Sequence, residues 1–153
     1  MTKLRRHLLQ GHCYHVASTT HSRLPVFAHP AYARVVADAL HFLRAERAYL
    51  LAYVVMPDHV HAVLVPREPY SLSSVMQSVK GYSARIINAK DGRRGPLWQQ
   101  SFYDRVIRDE QQLLATIQYI HWNPVDSGLA TVPEEYEFSS AYSGVETDLG
   151  LFV

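Results

Sequence analysis

The chain is short of the features that most directly announce a function. It has one cysteine, Cys13, among 153 residues, which excludes an intramolecular disulfide framework and points to the cytoplasm as its compartment. The formal net charge is +1, too small to argue for a nucleic-acid partner by itself. No apolar run approaches the roughly 20 residues that cross a bilayer, so no membrane span is expected. Lys3, Arg5 and Arg6 look like the opening of a signal peptide, but the apolar stretch behind them stops at Gln10-Gly11-His12 and no secretion signal is expected. Repeats, low-complexity tracts and linkers are also missing. What remains is a globular composition, 48% hydrophobic and 19% charged. One domain is expected over 1–153, with a core of about 11–129 and a tail of 130–153. A chain of this size buries about 68–70% of its unfolded surface and stands without staples.

Hydrophobic periodicity supplies the elements. Residues 13–20 alternate, with Tyr14, Val16 and Ser18 on one face and His15, Ala17 and Thr19 on the other, which predicts a first strand. Val35, Val36, Ala39, Leu40 and Leu43 recur at helical spacing and predict a helix over 31–45. Residues 48–55 and 59–65 read as two antiparallel strands joined by Met56-Pro57-Asp58-His59, where proline second and aspartate third suit a type I turn. Ser71 to Ser74 offer helix caps ahead of a stripe of Val75, Met76, Val79, Tyr82 and Ile86. A loop at 91–96 leads to a strand over 102–108. Asp109 to Gln112 resembles a capping box, followed by Leu113, Leu114, Ile117 and Ile120, and Asn123-Pro124 is expected to end that helix. The order strand, helix, strand, strand, helix, strand predicts an α+β, ferredoxin-like antiparallel sheet with helices on one face and an extra C-terminal helix.

Two histidines stand out inside an otherwise apolar strand, at 59 and 61 in Asp58-His59-Val60-His61-Ala62-Val63-Leu64-Val65. Side chains two apart on a strand share a face, with Cα atoms roughly 6.6–7 Å apart, so both imidazoles can lean toward one ion. Burying two such rings costs free energy unless each is hydrogen-bonded or coordinated. The residues alone leave two readings open, satisfied core or rim histidines on one side and metal ligands on the other.

The last helix carries a second candidate. At 100° per residue its apolar stripe centres on Leu113, Ile117 and Ile120, while Gln112, Thr116, Tyr119 and Asn123 share another face. Core packing therefore does not demand Tyr119, which stacks beside Asn123 on the next turn and, on this helix alone, reads as a surface or half-buried tyrosine. A phenol with the usual pKa of about 10 is ionised in roughly one molecule in a thousand at neutral pH, so as a nucleophile it needs help. A divalent cation beside the group attacked provides such help. Lys80, Arg85, Lys90, Arg93, Arg94, Arg105 and Arg108 gather in the second half of the chain, either as an ordinary solvated basic face or as phosphate contacts.

Three motifs occur in order: the His-x-His pair, Trp98 with Phe102-Tyr103-Asp104-Arg105-Val106-Ile107-Arg108, and Tyr119-Ile120-His121-Trp122-Asn123-Pro124-Val125. Together, over about Gly11 to Leu129, they resemble the HUH single-tyrosine transposases with an IS200-like domain, and in particular the REP-associated tyrosine transposases. The resemblance implies a metal-dependent transposase and endonuclease that binds single-stranded or hairpin, palindromic DNA and acts in the cytoplasm, at the nucleoid when DNA-bound. It implies Tyr119 as nucleophile, forming a 5′-phosphotyrosine bond and freeing a 3′-hydroxyl. It implies Mg²⁺ or Mn²⁺ held by His59, His61 and Asn123, the last one methylene shorter than the glutamine usual in the insertion-sequence branch. Tyr103 and Tyr82 are fallback nucleophiles. Lys80, Arg85, Arg93, Arg94 and Arg105 are the expected DNA contacts, and Trp98 or Trp122 the candidate stacking platforms, with Trp98 and Phe102 reading equally as core and Arg105 as a partner of Asp104 or Asp109. A homodimer is left open. Two other readings stand beside this one: a zinc hydrolase built on the histidine pair, which wants a barrel of at least about 200 residues, and a non-catalytic nucleic-acid-binding module descended from such a transposase.

Overall fold

The computed structural model describes residues 3–153, with only the backbone of Lys3, Leu4 and Leu9; Met1 and Thr2 of the expected 1–153 domain lie outside the described residues. The elements are α1 (Lys3–Leu9), β1 (Tyr14–Thr19), α2 (Pro30–Glu46), β2 (Ala48–Val55), β3 (His59–Pro66), α3 (Leu72–Asp91), β4 (Tyr103–Val106) and α4 (Glu110–Asp126). The four strands form one sheet in the order β2-β3-β1-β4, antiparallel at each step. Strand β3 thus separates β1 from β2, and β1 separates β3 from β4, the split arrangement that the element order predicts. No described helix is long and apolar enough to cross a membrane.

Local chemistry sets the boundaries. The β2–β3 hairpin closes through Met56 N–H donating to the His59 carbonyl at 2.7 Å. Ser71 caps α3 by accepting from Ser74 N–H while Ser74 reaches back to Ser71 N–H, a reciprocal capping box. Asp109 caps α4 by accepting from Gln112 N–H at 2.7 Å, and the Gln112 amide oxygen accepts from Arg108 N–H, one residue further back than a capping box requires. Helix α4 does not stop at Asn123 as expected but runs through Pro124 to Asp126. Proline this close to a helix end removes one hydrogen bond, and the remaining carbonyls are taken: Ser127 N–H donates to Asn123 and Leu129 N–H to Pro124.

Each face of the sheet has its own core. Helices α2 and α3 cover one face, packing Leu40, Leu43, Val75 and Val79 on Val16, Leu50, Val60 and Leu64. Helix α4 covers the other face, setting Leu113, Ile117 and Ile120 on Leu51, Val54, Val63 and Val65. A bulge between Leu50 and Ala52 shifts the alternation of β2, so that Leu51 and Ala52 both join the α4 side. Two helical stripes differ from expectation. On α3 the buried line continues through Ser83 and Ile87, while Tyr82 is exposed. Trp98 fixes that line, because its buried indole N–H donates to Ser83 Oγ. On α4, Thr116 is buried in place of Leu114. Its hydroxyl donates to the Gln112 carbonyl at 2.7 Å, which removes the cost of burying it.

The tail lies along the free edge of β2. Val55 N–H donates to the Phe138 carbonyl, Ser140 N–H to that of Tyr53, and Leu50 N–H to the Asp148 carboxylate. Phe138 is buried and Tyr136 donates its hydroxyl to the Val55 carbonyl at 2.6 Å, whereas Tyr142 stays exposed. The tail also touches α4, through a 2.7 Å hydrogen bond between His121 Nε2 and Ser140 Oγ.

Candidate active site

Alternation on β3 sends His59, His61, Val63 and Val65 toward α4 and Val60, Ala62 and Leu64 toward α2 and α3. Register brings the neighbours. Ala17 of β1 lies opposite His61, and His15, paired with Val63, stands diagonally across from it. On the other side of β1, Tyr103 pairs with Ala17 and Arg105 with His15. The result is a cleft of about 470 Å³ bounded by His15, Ala17, His61, Tyr103 and Arg105 on the sheet and by Ala115, Thr116 and Tyr119 on α4. The two alanines leave the space that the larger side chains surround.

Tyr119 hangs over this cleft, 51% exposed. Its ring centroid is 5.4 Å from that of His61 and 6.2 Å from that of His15, close to perpendicular to both. The phenol and the histidine pair therefore meet within one chain. The rings of His59 and His61 are 4.9 Å apart and mutually perpendicular.

Both Nδ1 atoms of the pair are engaged. His59 Nδ1 lies 2.7 Å from Asp58 Oδ1, and Arg23 Nε donates to the other oxygen of that carboxylate at 3.4 Å. Burial works against the charged form of Asp58, but the His59 hydrogen bond and charge, joined by Arg23, hold its carboxyl below the ordinary range. Arg23 reaches it from a turn in which Ser22 and Arg23 both take positive φ, 57° and 54°, a conformation that costs non-glycine residues energy and clusters at functional sites. His61 Nδ1 lies 3.0 Å from His15 Nε2. Burial, then the nearby His59 and His15, pushes the His61 pKa down to about 3, and burial followed by the Arg105 charge pushes that of His15 down to about 4. Both rings are neutral at physiological pH, the form in which imidazole binds a cation.

Asn123 sits one turn beyond Tyr119 on α4, half-buried, and its amide makes no hydrogen bond to a described residue. Among the described residues no three His, Cys, Asp or Glu side chains converge as a ligand set. A cation at the histidine pair would thus complete its shell from an amide, water or substrate oxygen, the donors that suit Mg²⁺ and Mn²⁺ rather than a closed structural zinc site. The sheet is open and four-stranded, not the barrel that the zinc-hydrolase reading wants.

The basic residues do not act as one group. Arg105 is in the cleft wall, donating to Thr116 Oγ1 at 3.2 Å. Lys80 is on α3, and its ammonium is spent on the carbonyls of Gln99 and Ser101. Arg85 lies over the Tyr82 ring on the same helix, and Arg93 is 3.9 Å from Asp91; Arg94 is exposed in the loop after α3. Trp98 is core, and Trp122 is exposed on α4. Tyr103 lines the cleft, while Tyr82 is in the opposite layer. Sequence reasoning missed His15, Asp58 and Thr116 as parts of the site. The alternation of β1 does put His15 on a face with Ala17, but only cross-strand pairing shows that this is the face of His61.

Residues 9–123 match the model of the family described as Transposase IS200 like. A REP-associated tyrosine transposase of Escherichia coli is 22% identical over 151 residues, covering 97% of this chain and 88% of that protein. A candidate REP-associated tyrosine transposase of Haemophilus influenzae is 25% identical over 109 residues, 65% of this chain, and the chain spans 62% of that relative's length. Among solved structures, a REP-associated tyrosine transposase bound to a REP hairpin superposes with a TM-score of 0.69 at 22% identity, over 85% of this chain and 76% of the other. A candidate transposase from Deinococcus radiodurans gives a TM-score of 0.54 at 26% identity, over 71% and 87%.

Proposed function

Because the chain belongs to the IS200-like transposase family, we propose that it is a DNA strand transferase of the REP-associated kind, which cuts and rejoins single-stranded or hairpin DNA through Tyr119. The observation that carries this reading is the position of the Tyr119 phenol over His61 in a single-chain cleft. In the reaction the Tyr119 oxygen attacks phosphorus and the bond from phosphorus to the 3′ oxygen breaks. The phenol gives up its proton as the new bond forms and the departing oxygen takes one up. The products are a 5′-phosphotyrosine and a 3′-hydroxyl, and attack by a 3′-hydroxyl reverses the step, so rejoining needs no added energy source.

His59, His61 and Asn123 are the residues that would hold Mg²⁺ or Mn²⁺, which would supply Lewis-acid polarisation of the scissile phosphate. Asp58 orients His59 by occupying its Nδ1. Arg105 presents its guanidinium to the cleft and is the residue best placed to meet a backbone phosphate there. Trp122, exposed on the same helix as Tyr119, offers a face on which an unpaired base can stack. A hairpin substrate is supported by the protein of the same fold that is bound to a REP hairpin.

The test is incubation of the protein with end-labelled hairpin DNA and Mn²⁺, followed by denaturing electrophoresis. A covalent protein–DNA adduct is expected from the wild type and none from Tyr119→Phe. An adduct that survives the substitution contradicts the reading. Hairpin binding with no adduct in any metal favours the non-catalytic module instead.

A further inference from the structure

His15 is a buried histidine, 7% exposed, on the first strand of the sheet and in the wall of the cleft. It is absent from the chemistry just set out. Its Nε2 is 3.0 Å from His61 Nδ1, with the ring centroids 5.2 Å apart. A ring buried without a partner would be costly, and the partner that register supplies is the other imidazole.

A histidine can hold a cation only through a nitrogen that carries no proton, and the hydrogen bond at the other nitrogen decides which one that is. At His59 the decision is made by Asp58, since an ionised carboxylate accepts only: Nδ1 carries the proton and Nε2 keeps its lone pair. At His61 the bond to His15 has two polarities. If His61 donates, its Nε2 is free for a cation; if His15 donates, the proton of His61 is on Nε2 and the ring cannot coordinate.

We propose that His15 is a positioning residue, which accepts the Nδ1–H of His61 and so fixes the tautomer and ring orientation in which His59 and His61 both offer Nε2 to one cation. The inference rests on the metal-binding reading above and adds to it the residue that makes His61 competent.

Two substitutions in the full chain test it: His15→Leu removes the acceptor, and His15→Gln keeps one at the end of a side chain of similar reach. Neither readout requires DNA cleavage. Nitrogen-15 shifts of the His61 ring in metal-free protein report the tautomer, and electron paramagnetic resonance of Mn²⁺ added without DNA reports affinity. The wild type is expected to show His61 protonated on Nδ1. His15→Leu is expected to move protonation toward Nε2 and weaken Mn²⁺ binding roughly 10–100-fold, with His15→Gln restoring affinity to within about threefold. A wild-type His61 protonated on Nε2 overturns the proposal. So does an unchanged tautomer and affinity in His15→Leu, or a His15→Gln protein as weak as His15→Leu. His61→Ala separates the two levels. If it abolishes Mn²⁺ binding while His15→Leu leaves the affinity unchanged, positioning alone falls; if His61→Ala also leaves binding unchanged, the metal-binding reading falls with it.

Discussion

The two faces of the sheet are built from the same four strands and do opposite work. Toward α2 and α3 the strands bury Val16, Leu50, Tyr53, Val55, Val60, Ala62 and Leu64, a continuous apolar layer. Toward α4 the layer is divided. Its β2 end buries Leu51 and Val54, and Val63 and Val65 continue it on β3, whereas His61 at the start of β3, His15 on β1 and Tyr103 and Arg105 on β4 present polar groups. Helix α4 spans the division: Leu113, Ile117 and Ile120 pin it to the apolar half, and the adjacent face, with Thr116 and Tyr119, overhangs the polar half. The stability of one half therefore sets the position of Tyr119 over the other.

The largest effect expected from breaking this division is on stability. Leu40 is 2% exposed under the α2–α3 layer, and Leu40→Ala should cost about 2–5 kcal/mol in urea unfolding. Tyr119→Phe, at a half-exposed position, should cost less than about 0.5 kcal/mol. Similar losses from the two would show that the faces are not divided in this way.

A smaller effect is expected from acid. His15 and His61 are held neutral to about pH 4 and 3, while in the unfolded chain both protonate near pH 6.5. Between those values the unfolded state binds more protons, so stability of the metal-free protein rises with pH and falls as pH drops below about 6.5. By pH 5 the loss should approach about 1–2 kcal/mol for each ring. Replacing both by Phe should flatten the melting temperature between pH 7 and 5, whereas an unaltered slope in the double variant contradicts the assignment.

The smallest effect separates the basic residues. Arg105→Gln should reduce the slope of log binding constant against log salt by about 0.7–0.9, one phosphate contact. Lys80→Gln should leave the slope unchanged, because its ammonium is already bound to backbone carbonyls. Equal changes in both would place DNA across α3 as well.

Local signals made most of the architecture legible. Ser71 and Asp109 cap their helices as their side-chain chemistry requires, and the alternation of β1 and β3 assigned each residue to the correct face. Where expectation and structure part, tertiary contacts override local pattern. The β2 bulge moves Leu51 out of strict alternation, a polar bond to Arg105 accompanies the burial of Thr116 where Leu114 was expected, and Ser83, bonded to the buried Trp98, takes the place on the α3 stripe expected for Tyr82. Pro124 is tolerated because its helix is nearly over. The His-x-His spacing and the tyrosine were readable along the chain. Their neighbour His15 was not, because it lies 46 residues away from His61 and is brought in by register alone.

The central claim is that Tyr119 is the atom source of the covalent bond to DNA. Digestion of the Mn²⁺-dependent adduct and mass spectrometry of the nucleotide-linked peptide tests it most directly. The 5′-phosphate is predicted on Tyr119, and linkage to Tyr103, the other phenol in the cleft, or to any other residue would contradict the account.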